Sequence, residues 1–353
     1  MKLTNFNQHM STYLPSYKAL ALQLTTGSVN PCSNAHAARL QMLAAVKRIH
    51  AQIKASKAFI GSDLQLVVLP EYFLTGFPMG ETTAEWQEKG CIHPNDEVYG
   101  ALKHLAEDCG IYLSGNVYEL DDHFQQLFFQ TSFIIDPKGN LLLRYRRLNS
   151  MYAATPHDVL DEYLKVYGSD SLFPVAQTPL GNLACLASEE ILYPEIARCL
   201  ALKGAEIFLH NTSEVGALTP TPKNIAKQAR AIENMAYVIS ANSAGITGYS
   251  IPAASTDGHS QIVQYEGMVL CEAGFGESMV ANATIHLGAL REHRLRPGMS
   301  NYLSRQRFEL FAPTYAQQVY PANSLTGKIP SRSHYIQQQQ AVIASLKEKK
   351  IIQ

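Results

Sequence analysis

The 353-residue sequence has little charge and almost none in excess. Only 17% of its residues are charged, and 29 lysines and arginines face 30 aspartates and glutamates, a formal balance of −1. Without a basic surplus there is no global attraction to nucleic acid or to an anionic membrane, so neither is expected as a partner. Long apolar runs are missing as well. No window approaches the roughly 18 apolar residues of a membrane span, and Met1 to Tyr17 alternates polar and apolar residues without the apolar core of a secretory leader. The six cysteines (Cys32, Cys91, Cys109, Cys185, Cys199 and Cys271) form no C-x-x-C pair and no repeating interval. That excludes a zinc knuckle or disulfide framework and points to a reducing, cytoplasmic compartment. The twelve histidines include no H-E-x-x-H spacing, and His210 and His259 stand as single hydrogen-bonding residues. With no G-x-G-x-x-G and no Walker loop either, no metal and no cofactor is expected.

What is present is a large apolar fraction, 46%, in a chain long enough to bury a full-sized core. Lys18 to Leu24 reads as a buried strand bounded by Thr25-Thr-Gly27. Met42, Val46, Ile49 and Ile53 recur at helical spacing behind a Ser33-Asn34 cap. A strand over Leu64 to Leu69 follows, then a helix carrying Val98, Leu102, Leu105 and Cys109, which Gly110 stops before the strand Ile111 to Val117. Phe128 to Ile135 and Asn140 to Arg146 flank Asp136-Pro-Lys-Gly139 and read as an antiparallel hairpin.

The second half repeats this alternation. It gives a strand over Leu183 to Ala187, a helix over Pro194 to Lys203, and a strand over Glu206 to His210. A helix with Ile225, Ala229, Ile232 and Ala236 on its apolar face leads to the strand Tyr237 to Ala241, the hairpin Gln261 to Cys271 and a closing strand within Met279 to Leu287. Mixed strands and helices of this kind predict a layered α/β domain over residues 1–311. From 312 to 353 the prolines Pro313, Pro321 and Pro330 and a Gln337 to Gln340 run break the periodicity. This stretch reads as an extended arm for packing or oligomerisation, with a terminal helix over Tyr335 to Lys349.

Three segments carry chemistry. Leu66-Val-Val-Leu-Pro-Glu71 sets a carboxylate just beyond a buried run, where desolvation raises a carboxyl pKa and suits it to proton transfer. Leu143-Arg-Tyr-Arg-Arg147 is expected to hold three guanidinium groups on one side of a hairpin exit. Gly181 to Ser188, followed by Glu189-Glu190 and Pro194, runs a buried strand into a sharp turn before a helix, the shape of a nucleophile elbow.

Together these segments resemble the nitrilase superfamily of carbon–nitrogen hydrolases, whose members carry a Glu, a Lys and a Cys at such strand ends. Leu69-Pro-Glu71 with Phe73 and Gly76 resembles the family's Glu motif, Tyr145-Arg-Arg147 lies where the family has Tyr-Arg-Lys, and Ser188, six residues before Pro194-Glu195, lies at the Cys position. Further matching phrases are Gly204-Ala-Glu-Ile, Arg230-Ala-Ile-Glu-Asn234, Asn242-Ser-Ala-Gly245 and Gly258-His-Ser-Gln-Ile. The resemblance spans roughly residues 18 to 310. It implies a four-layer αββα sandwich, hydrolysis of non-peptide carbon–nitrogen bonds in a small amide or nitrile, no cofactor, and a homo-oligomer.

The resemblance also exposes departures. Arg147 replaces Lys, Ser188 replaces Cys, and the family's second Glu falls on Ala154 or Thr155, with Asp158, Asp161 and Glu162 the nearest acids. A serine hydroxyl needs a better-placed base than a thiol does, and a guanidinium cannot give up its proton as a buried amine can. The degenerate set Glu71, Arg147 and Ser188 is thus expected to leave hydrolysis weak or lost, with Glu71 as base and Arg147 as oxyanion partner of whatever activity survives. Glu189 and Glu190 are read first as partners of helix N-terminal amides and of Arg146 or Arg147. Their second reading is an oxyanion-hole N–H from Glu189 and an orienting contact from Glu190. Cys185 is expected to face away from Ser188 into the layer packing, and Cys199 to lie in the core. A ligand-binding or assembly protein on the same fold is the alternative function. A further alternative is an active hydrolase in which Ser188 is an engineered replacement for cysteine.

Overall fold

The computed structural model describes residues 16–317 and 319–353, so all but two residues of the N-terminal segment read above, Met1 to Tyr17, lie outside it. The first half runs β1 (Tyr17–Ala21), β2 (Leu24–Gly27), α1 (Ala35–Ile60), β3 (Leu64–Val68), α2 (Thr83–Lys89), β4 (Cys91–Ile92) and α3 (Glu97–Cys109). It continues with β5 (Tyr112–Leu120), β6 (Phe128–Ile135) and β7 (Leu141–Arg146). The second half runs α4 (Leu160–Tyr167), β8 (Ala176–Thr178), β9 (Gly181–Ala187), α5 (Pro194–Leu202), β10 (Ile207–Asn211) and α6 (Pro222–Asn234). After it come β11 (Tyr237–Ala241), β12 (Ser243–Thr247), β13 (Gln261–Val263), β14 (Val269–Glu272), β15 (Asn282–Ile285) and α7 (Leu287–Leu295). The last elements are α8 (Phe308–Tyr315) and α9 (Arg332–Glu348).

Two mixed sheets form the centre. A seven-stranded sheet has the order β15-β1-β3-β5-β6-β7 with β4 added beside β5, and a six-stranded sheet has the order β14-β13-β11-β10-β9-β8. Strand alternation divides the side chains between layers. Ala19, Ala21, Leu66 and Val68 face the second sheet, where they meet Leu183, Leu209 and Ile239, while Leu20, Leu22 and Val67 face α1 and α3. Helices α5 and α6 cover the other side of the second sheet, through Ile196, Leu200, Ala226 and Ala231. The result is the four-layer αββα sandwich.

Local chemistry explains the elements. Asn34 caps α1 by accepting from the Ala37 amide, and Met42, Val46, Ile49 and Ile53 are buried as their spacing predicts. Each such side chain contributes about 1.5–3 kcal/mol relative to an exposed position. Gly110 takes the left-handed conformation (φ 59°, ψ 50°) that ends α3. The Asp136 to Gly139 turn joins β6 and β7 in antiparallel register.

Four expectations are corrected. Lys18 to Leu24 is not one strand, because the buried Gln23 side chain donates to the carbonyls of Gly274 and Gly276 (2.6 and 2.7 Å) and turns the chain, so that β2 pairs with β12 instead. Helix α6 is turned the other way. Ile225 is 62% exposed and Ile232 lies at the surface, while Asn224, Lys227, Arg230 and Asn234 face inward with Ala226 and Ala231. Polar groups at the sheet ends need partners, and this face supplies them. Cys199 is only half-buried, because α5 turns Ile196, Ala197 and Leu200 to the core. The arm is not merely extended: α8 runs across the 311/312 boundary with Pro313 inside the helix, α9 follows, and Leu325 and Tyr335 pack against Phe124, Phe129, Val159 and Tyr163.

Candidate active site

Parallel strands β3, β9 and β10 end on one side of the two-sheet core, the side on which open α/β sheets present ligand-binding groups. Hydrogen bonds tie the ends of the two sheets together. Asn211 Nδ2, at the end of β10, donates to the Leu69 carbonyl (2.8 Å), and the Glu71 amide donates to the Thr212 carbonyl (3.2 Å). The Glu71 carboxylate is thereby fixed beside the second sheet and is fully buried.

Glu71 is paired rather than alone. Its Oε1 accepts from Arg147 Nη1 (3.1 Å) and from Gln130 Nε2 (2.9 Å), and Gln130 Oε1 in turn accepts from Arg147 Nη1 (2.5 Å). Glu71 Oε2 is buried with no hydrogen-bond partner among the described residues. Arg147 completes its fork with Glu189 Oε1 (2.6 Å) and with the Asn149 carbonyl (2.6 Å). These carboxylates, with Glu71 first among them, outweigh burial and hold the guanidinium above its already high range, so it stays charged.

The three guanidinium groups do not act together. Arg144 and Arg146 alternate onto the outer side of β7. Arg144 Nη2 bonds Glu119 (2.5 Å), whereas Arg146 pairs with Asp121 and lies over the rings of Phe129, Tyr163 and Tyr167. Only Arg147, just past the strand, reaches Glu71.

Ser188 follows β9 with φ 52°, a left-handed conformation that costs a serine backbone energy and marks a sharp turn. The strain is held by its neighbours. His210 Nε2 donates to the Ser188 carbonyl (2.8 Å), and because that acceptor has no proton to give, Nδ1 is the acceptor for the Ser240 hydroxyl (2.8 Å). Burial pushes the His210 pKa down to about 3, which keeps the ring neutral.

Glu190 secures the same turn. Its Oε2 accepts from the Ala187 amide (2.9 Å), and Oε1 accepts from Tyr145 Oη (2.8 Å) and the Leu148 amide (2.6 Å). Burial outweighs these bonds and Arg147, and pushes the carboxyl up to about 7. Glu189 thus pairs with Arg147, and Glu190 takes the amides of Ala187 and Leu148; among the described residues neither bonds Arg146. Cys185 points into the packing toward Ser114, and burial pushes its thiol up to about 12.

Two side chains escaped sequence reasoning. Gln130, at the centre of the pair Glu71–Arg147, looks like any buried strand residue in sequence. Lys223 lies in the first turn of α6 behind the Thr221 cap, and its Nζ is 3.3 Å from Ser188 Oγ and 3.3 Å from Thr212 Oγ1. Burial lowers its pKa, aided by Arg147 and Lys227 and opposed by Glu71 and Glu214. A lysine at the positive end of a helix was the available signal, since the dipole disfavours a cation there. Ala154 and Thr155 are buried, and Asp158 is engaged by Thr155 and by Ser324 Oγ (2.8 Å), so Asp158 forms local structure.

A carboxylate, a guanidinium and an elbow hydroxyl at the strand ends of an αββα sandwich define a hydrolase-type architecture. The carbon–nitrogen hydrolase family model matches residues 25–295, and the chain belongs to that family. It is 28% identical over 231 residues to the Xenopus laevis protein named Omega-amidase NIT2-B, a match covering 65% of this chain and 79% of the relative. It is 26% identical over 257 residues to a formamidase of Bacillus thuringiensis, covering 72% of each. A carbon–nitrogen hydrolase structure from Helicobacter pylori superposes with a TM-score of 0.67 at 19% identity, over 86% of this chain and 100% of that one.

Proposed function

We propose that this chain acts on a small carboxamide, with Ser188 as nucleophile and at a rate well below that of a thiol enzyme. The observation that carries the reading is the strained Ser188 turn, with its hydroxyl in the same polar cluster as Glu71 and Arg147. Lys223 touches that hydroxyl and is within the electrostatic reach of both other groups. The buried, unpartnered Glu71 Oε2 is an acceptor suited to an amide N–H. Arg147 supplies fixed positive charge near a developing oxyanion, to which the Glu189 amide at the elbow adds a donor. The names of the relatives, an omega-amidase and a formamidase, favour amides over nitriles.

Loss of turnover with retention of the ligand is the second reading. It is favoured by Arg147, which is locked between Glu71 and Glu189 and cannot shuttle a proton. Ammonia release from formamide, acetamide, butyramide and an ω-amide of a dicarboxylate separates the two. Turnover that disappears in Ser188→Ala supports the serine hydrolase. If ammonia appears only in the Ser188→Cys, Arg147→Lys double variant, while butyramide raises the melting temperature of the parent, the binding reading holds.

Three wider features belong to the same proposal. Exposed Leu192, Leu202 and Ile225 on and beside α5 and α6 support a homo-oligomer. Residues 312–353 serve as a packing arm on the 1–311 domain. Six free cysteines suit a reducing, cytoplasmic setting, and no helix among the described residues is long and apolar enough to cross a membrane.

A further inference from the structure

Glu71 makes no hydrogen bond to Ser188 Oγ among the described residues. Its Oε1 is occupied by Arg147 and Gln130, and the side-chain hydrogen bond that Ser188 Oγ makes comes from elsewhere. That partner is Lys223 Nζ, at 3.3 Å, whose other partner is a second hydroxyl, Thr212 Oγ1, also at 3.3 Å. The carboxylates around it are committed as well, Glu71 to Arg147 and Glu214 to Lys227 (2.7 Å). The lysine is also the second residue of α6, at the end of the helix where the dipole disfavours a cation. Burial first, with Arg147 and Lys227, lowers the pKa of the lysine against the opposing charges of Glu71 and Glu214, which moves it toward the range where an amine can accept a proton.

We infer that Lys223 is the general base of this site, forming with Ser188 a serine–lysine pair that takes the place of the thiol chemistry lost at position 188. The inference rests on the reading of Ser188 as the nucleophile. In the first half-reaction Ser188 Oγ bonds to the amide carbon as its proton passes to neutral Lys223 Nζ. The resulting ammonium then gives that proton to the departing nitrogen as the carbon–nitrogen bond breaks, releasing ammonia and leaving an ester on Ser188. In the second, Lys223 takes a proton from water as its oxygen bonds to the ester carbon. The proton returns to Ser188 Oγ as the carbon–oxygen bond to serine breaks, so one amide and one water give one acid and one ammonia. Glu71 is left to orient the substrate N–H groups through Oε2.

A fluorophosphonate probe tests this without depending on amide turnover, because it reacts with an activated serine and loses fluoride. Modification of Ser188 is followed by peptide mass spectrometry in the full-length protein and in Lys223→Met, Lys223→Arg and Ser188→Ala. The parent is expected to be labelled at Ser188, at a rate rising with pH to a plateau whose midpoint lies below the ordinary lysine value of 10.5. Removal of a general base costs about 10²- to 10⁴-fold. Lys223→Met should therefore label at least about 10²-fold more slowly, and Lys223→Arg, which keeps the charge but cannot release a proton, should not restore the rate. Melting temperatures show whether the variants are folded, and two unlike substitutions guard against one failing to fold. Equal labelling of Ser188 in the parent and both lysine variants overturns the role of Lys223 and leaves the nucleophile standing. No labelling of Ser188 in the parent overturns both.

Discussion

Ser188 sits in a turn that its neighbours hold independently of its own side chain. The left-handed turn is held by His210 at its carbonyl and by Glu190 across the Ala187 amide, and neither contact depends on whether the side chain is a hydroxyl or a thiol. Glu190 gives a test at this scale. Its folded carboxyl titrates at about 7 against an ordinary 4.5. The folded state thus holds this proton more tightly, so its contribution to stability is complete below pH 4.5 and is lost as the pH rises toward 7. His210 has the opposite sign, with stability lost as pH falls from 6.5 toward 3. Comparing parent and Glu190→Gln isolates the first effect. Thermal melting across this range should show the parent losing stability relative to the variant as pH rises, and an unchanged difference at every pH would refute the assignment. In the sequence, Glu71, Arg147 and Ser188 could be singled out as candidates because strand ends and an elbow have local signatures that the family resemblance ties together. Gln130 and Lys223 were not, because their meaning depends on which strands and helices lie opposite.

Among the elements, α6 was the one most misread, and the reason is physical. Its isoleucines mark an apolar stripe, yet the face that packs on the sheet ends must satisfy Glu214 and the carbonyls of Ile191 and Leu192, so Lys227 and Arg230 turn inward. Periodicity locates a stripe but not what the neighbouring element requires. By contrast α1 and α3 were legible because their inward faces are mostly apolar, and the β6–β7 hairpin because the Asp136 to Gly139 turn marks it. The buried pair Lys227–Glu214 at 2.7 Å gives the prediction. Lys227→Met leaves an unpaired buried carboxylate and should cost about 3–5 kcal/mol in urea unfolding. Adding Glu214→Leu should recover most of that loss, and a single variant as stable as the parent would show that the ion pair contributes nothing.

At the scale of the whole molecule, the two sheets bring β3, β7, β9 and β10 to one end, and the C-terminal arm braces the segment beyond β7. Leu325 is 1% exposed, and its amide donates to the Asp158 carbonyl (2.9 Å), so the arm seals the apolar cluster around Phe124, Phe129 and Tyr163. Leu325→Ala should destabilise the protein by about 2–5 kcal/mol in the same urea titration. A loss under about 0.5 kcal/mol would mean that the arm is dispensable to the core. A layered α/β domain could be read from alternating strands and helices and the sandwich from the family resemblance, whereas this docking could not, since prolines and glutamines carry no period. The account as a whole depends on Ser188 bonding to substrate carbon, and the most direct measurement is the mass of the Ser188 peptide after brief exposure to p-nitrophenyl butyrate and an acid quench. A butyryl ester on Ser188 is the predicted result; an unmodified Ser188 peptide, or acylation confined to other residues, would contradict it.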